Sequence, residues 1–222
     1  MIRYYDNTRI AAFRKCPRYY YFRHQKHWRM AGTAAPLAFG SSWHSALDIV
    51  WQLAKTPKSD SEILVEAMKA FWAKWEAEGM PSKESWSLDT EEKLSPRTPN
   101  NAAEMLAEYI RIRRGWLKEI ELLAVEKPFA VLLDSKDTSA VYVGRRDKDF
   151  RFQDFIYCGE HKTTTSYKKD GGFKNLWVDS FSPNSQVDGY NHSGHIDYGS
   201  DFRGVWIDGA LVHKKERHFK FI

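Results

Sequence analysis

The first half of the chain is dominated by apolar residues that recur every three or four positions, which is the spacing of an amphipathic helix. The clearest examples are segments 43–54 and 61–78, where Trp, Leu, Val, Ile, Phe and Ala fall on one face. A shorter pattern over 10–22 is interrupted by Pro17, which predicts a kink or a break. We therefore predict four helices in this half, the last of them reaching about Ile120.

Capping residues predict where these helices begin. Thr8 is placed to cap the first helix, Gly40 precedes the second, and Asn101 with Glu104 resembles a capping box before the fourth. The polar stretch 79–100 contains three prolines and is typical of a long exposed loop.

After residue 122 the pattern changes to runs rich in Val, Phe, Tyr and Ile, separated by polar turns, and such runs are typical of strands. Three of them are LLAVEKPFAVLL, AVYVGRRDKDFRF and DFIYCGEHKT. A short helix led by Pro183, with Ser182 as its cap, and a last strand, RGVWIDGALVHKK, follow. This order predicts an α/β fold with a central mixed β-sheet and helices on both faces.

The composition agrees with one soluble domain over residues 1–222. A single core serves up to roughly 250 residues, and 42% hydrophobic residues with nine Trp can fill it. No apolar run approaches the ~20 residues of a membrane span, and the N-terminus has no signal-like stretch. We expect a cytoplasmic protein without a membrane partner.

Charge is distributed unevenly along the chain. Residues 1–29 hold eight Arg or Lys against one acid, whereas residues 60–92 hold nine acids against three Lys. The basic end suits a polyanion. Solvated helix faces are an equally good explanation of charge alone.

Two acids and a lysine lie on neighbouring predicted strands. Asp147, in GRRD, and Glu160, in GEHKTTT, stand thirteen residues apart on strands that form a hairpin, so the register can bring them together. Side chains at i and i+2 of a strand share a face, which places Lys162 beside Glu160 and turns His161 away, leaving its main-chain carbonyl available to a metal. Such groups suit metal-assisted phosphodiester hydrolysis. Alternatively, Asp147 is a turn acid and Glu160 and Lys162 are an exposed pair worth under ~1 kcal/mol.

These residues and their flanking motifs resemble the PD-(D/E)XK nuclease superfamily, and within it the RecB-like exonuclease branch. The resemblance covers about residues 4–213 and includes an N-terminal CP followed by aromatics. Its motifs are GxxxH at 40–44, GxxD at 144–147, ExK at 160–162 and QxxxY at 186–190. Each motif alone occurs by chance, whereas the series in family order is much more specific.

The resemblance implies a restriction-endonuclease-like core and a Mg²⁺- or Mn²⁺-dependent deoxyribonuclease. The implied activity is that of an exonuclease in recombination, repair or phage DNA processing. Asp147 and Glu160 become metal ligands, and His44 becomes a further ligand suited to Mn²⁺. A half-buried structural histidine is the competing interpretation of His44.

Three more residues take catalytic roles from the resemblance. Lys162 orients the water or stabilises the transition state. Gln186 and Tyr190 share a helical face at i and i+4, support the site and touch substrate. Tyr190 could instead be a packing residue.

The chain departs from the family in two respects. The iron–sulfur members carry three C-terminal cysteines, but no cysteine follows Cys158 here, so we expect no cluster. The residue inside ExK is usually apolar, and here it is His161. A relative that binds DNA or a protein without cutting, and a structure-specific or RNA-directed endonuclease, remain as alternatives. An oligomer is possible but not indicated.

Basic and aromatic residues alternate near the N-terminus and predict a nucleic-acid interface. Arg and Lys bind phosphates, and aromatic rings stack on unpaired bases, so the mixture suits single-stranded DNA or duplex ends. We expect the N-terminal aromatics to divide between stacking and the core. The cations that we assign to DNA binding are Arg14, Lys15, Arg18 and Arg23.

Overall fold

Within residues 2–29 and 32–222, the part of the chain that the computed structural model describes, six strands form one mixed β-sheet. They are β1 Arg3–Tyr5, β2 Glu121–Asp134, β3 Asp137–Phe152, β4 Phe155–Thr164, β5 Phe202–Leu211 and β6 Phe219–Phe221. The order is β1-β3-β4-β5-β6, and β2 pairs with β3. β1 is parallel to β3, whereas the β3–β4 and β5–β6 pairs are antiparallel. The predicted α/β class with a mixed sheet is confirmed.

Helices flank this sheet, and most lie before β2. They are α1 Asn7–Lys15, α2 Pro17–Tyr20, α3 Ala35–Leu53, α4 Asp60–Ala77, α5 Leu88–Leu94, α6 Pro99–Glu119, α7 Asn175–Asp179 and α8 Ser185–Tyr198. A wider π-helical turn, Tyr21–Gln25, follows α2. The three strands predicted after residue 122 are β2, β3 and β4. The transition from helices to strands, between α6 and β2, therefore lies close to the predicted position.

The cap of the first helix lies two residues before the predicted one. Asp6, not Thr8, is the capping residue, because its extended backbone lets its carboxylate accept a hydrogen bond from the Arg9 amide at 2.8 Å. The break at Pro17 is confirmed: α1 ends at Lys15 and Pro17 occupies the first position of α2, where its missing N–H costs nothing.

The starts of α3 and α6 also differ from the prediction. α3 begins at Ala35, so Gly40 lies within the helix and does not precede it; Pro36 in the first turn favours the earlier start. α6 is capped by Thr98, whose hydroxyl accepts a hydrogen bond from the Asn101 amide. Asn101 is therefore a helical residue, and the capping-box prediction is wrong.

Two further segments differ locally. Residues 79–100 are not one loop, because Ser87 caps the short helix α5 within them. α8 is capped by Asn184 in place of Ser182, since the Asn184 side chain accepts hydrogen bonds from the amides of the first turn.

The chain divides into two compact units, each described by itself. Unit 1 comprises Met1–Met30, Leu123–Glu160 and Asn175–Trp206. In unit 1, Gly189 and Gly194 bring the backbone of α8 close to aromatic rings: an added Cβ would stand 2.3 Å from the Tyr142 ring and 2.4 Å from the Phe202 ring. The buried core there consists of Phe129, Val131, Tyr142, Ile156, Cys158, Tyr190 and Phe202.

Unit 2 comprises Ala31–Leu122, His161–Lys174 and Ile207–Ile222. Its helices α3, α4 and α6 bury an aromatic core that includes Phe39, Trp43, Phe71, Trp75 and Tyr109. The division falls within β4 and within β5, so both strands contribute residues to each unit. The expectation of a single domain stays a prediction.

Candidate active site

The two acids chosen from the sequence lie on the neighbouring strands β3 and β4 in unit 1. The β3–β4 ladder includes the pair Lys148 and Gly159, and Asp147 and Glu160 are the next residues of their strands. Both are buried, with 8% of Asp147 and 1% of Glu160 exposed. The hairpin register therefore brings the two acids next to each other, as their thirteen-residue spacing predicted.

Helix α8 adds an amide and a phenol to this pair. The Gln186 side-chain amide donates to Oε1 of Glu160 at 3.1 Å and to the Tyr190 hydroxyl at 2.9 Å. The Tyr190 hydroxyl in turn donates to the main-chain carbonyl of Arg145 at 2.7 Å. This chain of hydrogen bonds holds the helical residues against both strands that carry the acids.

The environment keeps Tyr190 protonated. Burial raises the pKa of Tyr190 most, and the negative charges of Glu160 and Asp147 raise it further. Burial also raises the pKa of the Cys158 thiol, with added contributions from nearby carboxylates that include Glu160 and Asp147. Both neighbours of the acids are thus neutral, so they add no charge to the pair. The carboxylates of Asp147 and Glu160 both raise the pKa of Tyr190 and of Cys158, so the two acids contribute to one local electrostatic field.

A second network fixes the strand that carries Asp147, and the sequence analysis missed it. The buried Arg146 guanidinium donates to both carboxylate oxygens of Asp149, at 2.8 and 2.7 Å. It also donates to the Ser193 hydroxyl at 2.7 Å and to Asp197 at 2.5 Å, and both of these residues lie on α8. β3 and α8 are therefore joined by a planar, fully buried fork.

Asp149 is fully buried, so it is not an exposed turn residue. Burial would lower the pKa of Arg146, but its hydrogen bonds to Asp149 and Asp197 raise it above the ordinary value. The only hint in the sequence was the i, i+3 spacing of Arg146 and Asp149, and in a strand that spacing does not predict contact.

Unit 2 holds the histidines of the predicted site. His161 on β4 is fully buried, and its ring lies 5.9 Å from that of the half-buried His44 and 5.5 Å from that of Trp51, centroid to centroid. Its Nδ1 is 3.6 Å from Oδ2 of Asp208. The side chain of His161 is therefore packed among rings in unit 2, close to the Asp208 carboxylate.

Asp208 is another residue that the sequence analysis missed. It accepts a hydrogen bond from the Tyr109 hydroxyl at 2.6 Å and one from Arg113 at 3.2 Å, and Trp51 donates to the same hydroxyl at 3.0 Å. Burial raises the pKa of Tyr109 well above its usual value, and the charge of Asp208 raises it further. Asp208 stands in an ordinary strand run, WIDGAL, which gave no signal of this role.

The structure thus brings together Asp147, Glu160, Gln186 and Tyr190 in unit 1, and His44 with His161 in unit 2. Lys162 is half-buried in β4, two residues after Glu160.

The N-terminal cations lie at the surface of unit 1. Arg14, Lys15 and Arg18 are exposed and Arg23 is half-buried. Three cations stand over aromatic rings: Lys15 over Tyr19 at 5.9 Å, Arg18 over Phe22 at 5.8 Å and Lys26 over Tyr21 at 5.6 Å.

The N-terminal aromatics are divided by exposure. Tyr4 and Phe13 are exposed by 55% each, and Tyr19 is exposed by 50%. Tyr5 packs against the core of unit 1.

The donor set in unit 1 fits a hard divalent cation. Mg²⁺ binds through one or two carboxylates and completes its shell with waters and substrate oxygens, and Asp147 with Glu160 supply such a pair. Across residues 2–29 and 32–222 there is no group of three or more His, Cys, Asp and Glu side chains able to hold a metal ion.

No helix in the described ranges is long and apolar enough to cross a membrane.

Comparison with known proteins agrees with this geometry. The family model of the PD-(D/E)XK nuclease superfamily matches residues 7–176, and the chain belongs to this superfamily. No curated protein matches the chain. The predicted superfamily is confirmed, and membership indicates a nuclease that acts on DNA, since superfamily members are generally metal-dependent nucleases.

Proposed function

We propose that this protein is a divalent-metal-dependent DNA exonuclease of the RecB-like branch, acting in recombination, repair or phage DNA processing. One observation carries the proposal: Asp147 and Glu160 are buried side by side on the neighbouring strands β3 and β4, and the Gln186 amide donates hydrogen bonds to Glu160 and Tyr190. Burying two carboxylates in one local field is costly, and a divalent cation held by both would offset that cost.

Four groups are proposed as metal ligands. Asp147 and Glu160 supply the anionic oxygens, and the main-chain carbonyl of His161 supplies a neutral one. His44 adds an imidazole, which suits Mn²⁺ better than Mg²⁺. A bound divalent cation would polarise the phosphate and lower the pKa of an attacking water.

Lys162 is proposed to act directly on the reacting atoms. In the reaction, the water oxygen forms a bond to phosphorus, the bond from phosphorus to the leaving sugar oxygen breaks, and that oxygen takes up a proton. The Lys162 ammonium would orient the water or stabilise the negative charge that develops on the phosphate oxygens. Because side chains alternate along a strand, residues 160 and 162 are expected to share a face, and this expectation supports the role proposed for Lys162.

Gln186 and Tyr190 are proposed to hold Glu160 in position and to touch the substrate. The amide of Gln186 leaves the charge of Glu160 intact while fixing one of its oxygens. Because Tyr190 stays protonated, its hydroxyl remains a donor to the strand that carries Asp147.

The basic N-terminal helices are proposed to bind the DNA backbone. Arg14, Lys15, Arg18 and Arg23 would contact phosphates, and the exposed rings of Tyr4, Phe13 and Tyr19 would stack on unpaired bases. In this proposal the N-terminal residues bind DNA and take no part in the cleavage reaction.

The test is incubation with end-labelled single- and double-stranded DNA in the presence of Mg²⁺, of Mn²⁺ or of a chelator. We expect nucleotide-sized products with metal and none with chelator. Glu160→Gln should abolish them, whereas Asp154→Asn, which changes an exposed acid in the turn of the same hairpin, should not.

Other outcomes would replace the proposal by a named alternative. Cleavage of covalently closed circles into long fragments would indicate an endonuclease. Faster cleavage of RNA would change the substrate. DNA binding without cleavage under all metal conditions would indicate a relative that has lost catalysis.

A further inference from the structure

A small cavity lies among the N-terminal elements of unit 1. Its volume is about 280 Å³. Six residues line it: Tyr5, Arg9, Ile10, Phe13, Arg14 and Tyr20. This is slightly below the ~300–1,000 Å³ of pockets that hold drug-sized ligands, so the cavity suits a smaller flat group.

The rings of Phe13 and Tyr20 at this cavity are perpendicular to each other, and further contacts fix the Tyr20 ring. The rings of Phe13 and Tyr20 lie 5.5 Å apart, centroid to centroid, with their planes at 89°. The Tyr20 ring is stacked on His24 at 5.3 Å, and Gln25 donates to its hydroxyl at 3.3 Å. Tyr20 is therefore held, while Phe13 remains exposed and able to receive a flat partner on its ring.

The two guanidinium groups at the cavity differ in their commitments. Arg9 donates to the Tyr4 carbonyl at 3.2 Å and lies 3.5 Å from the Asp6 carboxylate. Arg14 is exposed, and no ion pair to it forms within the described parts of the chain. Lys15 and Arg18 follow it along the surface. An anion attached to a flat group in the cavity would thus meet Arg14 first.

We propose that this cavity binds one unpaired nucleobase of the DNA substrate, stacked on Phe13, while Arg14 contacts the adjoining phosphate. This inference rests on the proposed function and adds a preference to it, for strands with at least one unpaired base. The occupant is a nucleotide because it combines a flat apolar face with an anion, as the rings and Arg14 require. An apolar peptide side chain would use the rings and leave Arg14 without a role.

A blunt duplex is bound less well for a physical reason. Its bases are paired and stacked, and extracting one costs free energy that a single strand or an overhang does not have to spend. The cavity therefore favours single-stranded DNA and frayed or overhanging ends.

Equilibrium binding in chelator tests the cavity without cleavage. The probes are a fluorescein-labelled abasic strand and the same strand carrying one thymine, with affinity followed by fluorescence anisotropy. Wild type should bind the thymine-bearing strand about tenfold more tightly, the size expected of one stacked base. Phe13→Leu should remove this preference and keep the affinity for the abasic strand. Arg14→Gln should weaken binding of both strands by one common factor.

Leu88→Ala serves as a matched control because Leu88 is an apolar residue exposed by 88% on another helix, and it should change neither affinity. A second readout needs no variant: 2-aminopurine in place of the thymine should lose fluorescence on binding wild type, as a stacked base does.

Equal affinity of wild type for the two strands, no binding of either strand, or unquenched 2-aminopurine would each overturn the inference. Full preference in a folded Phe13→Leu protein would overturn it as well. If metal-dependent cleavage persisted in any of these cases, the proposed function would stand and only the base site would be lost.

Discussion

Two regions of unit 1 carry charged residues that differ both in sign and in exposure to solvent. At the β3–β4 hairpin the charges are acidic and buried, with 1% of Glu160 exposed. At the N-terminal helices the charges are basic and lie at the surface, beside rings such as Phe13, which is exposed by 55%. The first region holds two like charges in one local field, and the second spreads its cations over an open surface.

The difference separates chemistry from capture. A buried charge is costly unless other groups compensate it, so each acid at the hairpin requires a fixed surrounding network and resists rearrangement. An exposed cation costs little and gains little until a polyanion arrives, when each phosphate contact releases counterions. Variants of the hairpin should therefore lose catalysis almost completely, whereas variants of the N-terminal surface should lose affinity step by step.

The largest effect is expected at the carboxylates. Asp147→Ala and Glu160→Ala should each abolish Mn²⁺ binding measured by calorimetry, because each removes one of two anionic ligands. DNA cleavage should fall to background in both. Asp154→Asn is the control and should bind Mn²⁺ as wild type does. Unchanged Mn²⁺ binding in both alanine variants would refute the assignment of the ligands.

Lys162 should give the next largest effect and a different kind of failure. Lys162→Ala should keep Mn²⁺ and DNA binding and lose on the order of 10²–10³ in cleavage rate, as expected for one preorganised donor at the transition state. Lys162→Arg should restore the rate only in part, because a planar fork does not replace a compact ammonium. Single-turnover cleavage at saturating DNA measures both.

The neighbouring histidine provides the contrast for Lys162. His161→Ala removes a side chain that packs beside Trp51 and His44 in unit 2, and leaves the main chain of β4 in place. Its rate at saturating DNA should fall far less than that of Lys162→Ala. An inactive but folded His161 variant beside an active Lys162 variant would mean that β4 presents its opposite face to the substrate.

The sequence was sufficient for features set by local periodicity. Runs rich in Val, Phe, Tyr and Ile located β3 and β4, and the thirteen-residue spacing matched the hairpin register that aligns Asp147 with Glu160. The i, i+4 spacing of Gln186 and Tyr190 predicted their common helical face, and they are hydrogen-bonded to each other. These features depend on residues close in sequence, whose geometry the backbone fixes.

The parts that sequence did not reveal depend on distant partners. Arg146 bonds Ser193 and Asp197, about fifty residues away, and Asp208 bonds Tyr109 across almost a hundred. No local pattern encodes such pairs. The predicted starts of α1 and α6 were wrong for another reason, because several possible capping residues lie within one turn of each other. The extended backbone of Asp6 and of Thr98 makes these two residues the caps.

A smaller and graded effect is expected at the N-terminal surface. Replacing Arg14 and Lys15 together by Gln should weaken DNA binding and flatten the log–log dependence of affinity on salt by about 0.7–0.9 per lost phosphate contact. Mn²⁺ binding should keep its wild-type value, since neither residue is a ligand. Lys93→Gln, which changes an exposed cation next to the acidic segment 60–92, is the control. An unchanged salt slope in the double variant would mean that this surface does not contact DNA.

The smallest effect concerns the acid stability of the network behind Asp147. Burial alone would raise the pKa of Asp197, but hydrogen bonds from Arg146 and Lys127 outweigh it and hold that pKa below its ordinary value. A lowered pKa in the folded state means that Asp197 stabilises the protein above its unfolded pKa of about 3.9 and loses this contribution as pH falls through the folded value. Wild type should therefore exceed Asp197→Asn in free energy of unfolding by on the order of 1 kcal/mol at neutral pH, and the difference should shrink below about pH 4. Urea unfolding at several pH values measures it, with the exposed Asp201→Asn as control. If the difference in free energy of unfolding stayed constant as the pH fell below about 4, Asp197 would act through packing. The charge of its carboxylate would then contribute nothing to the stability of this network.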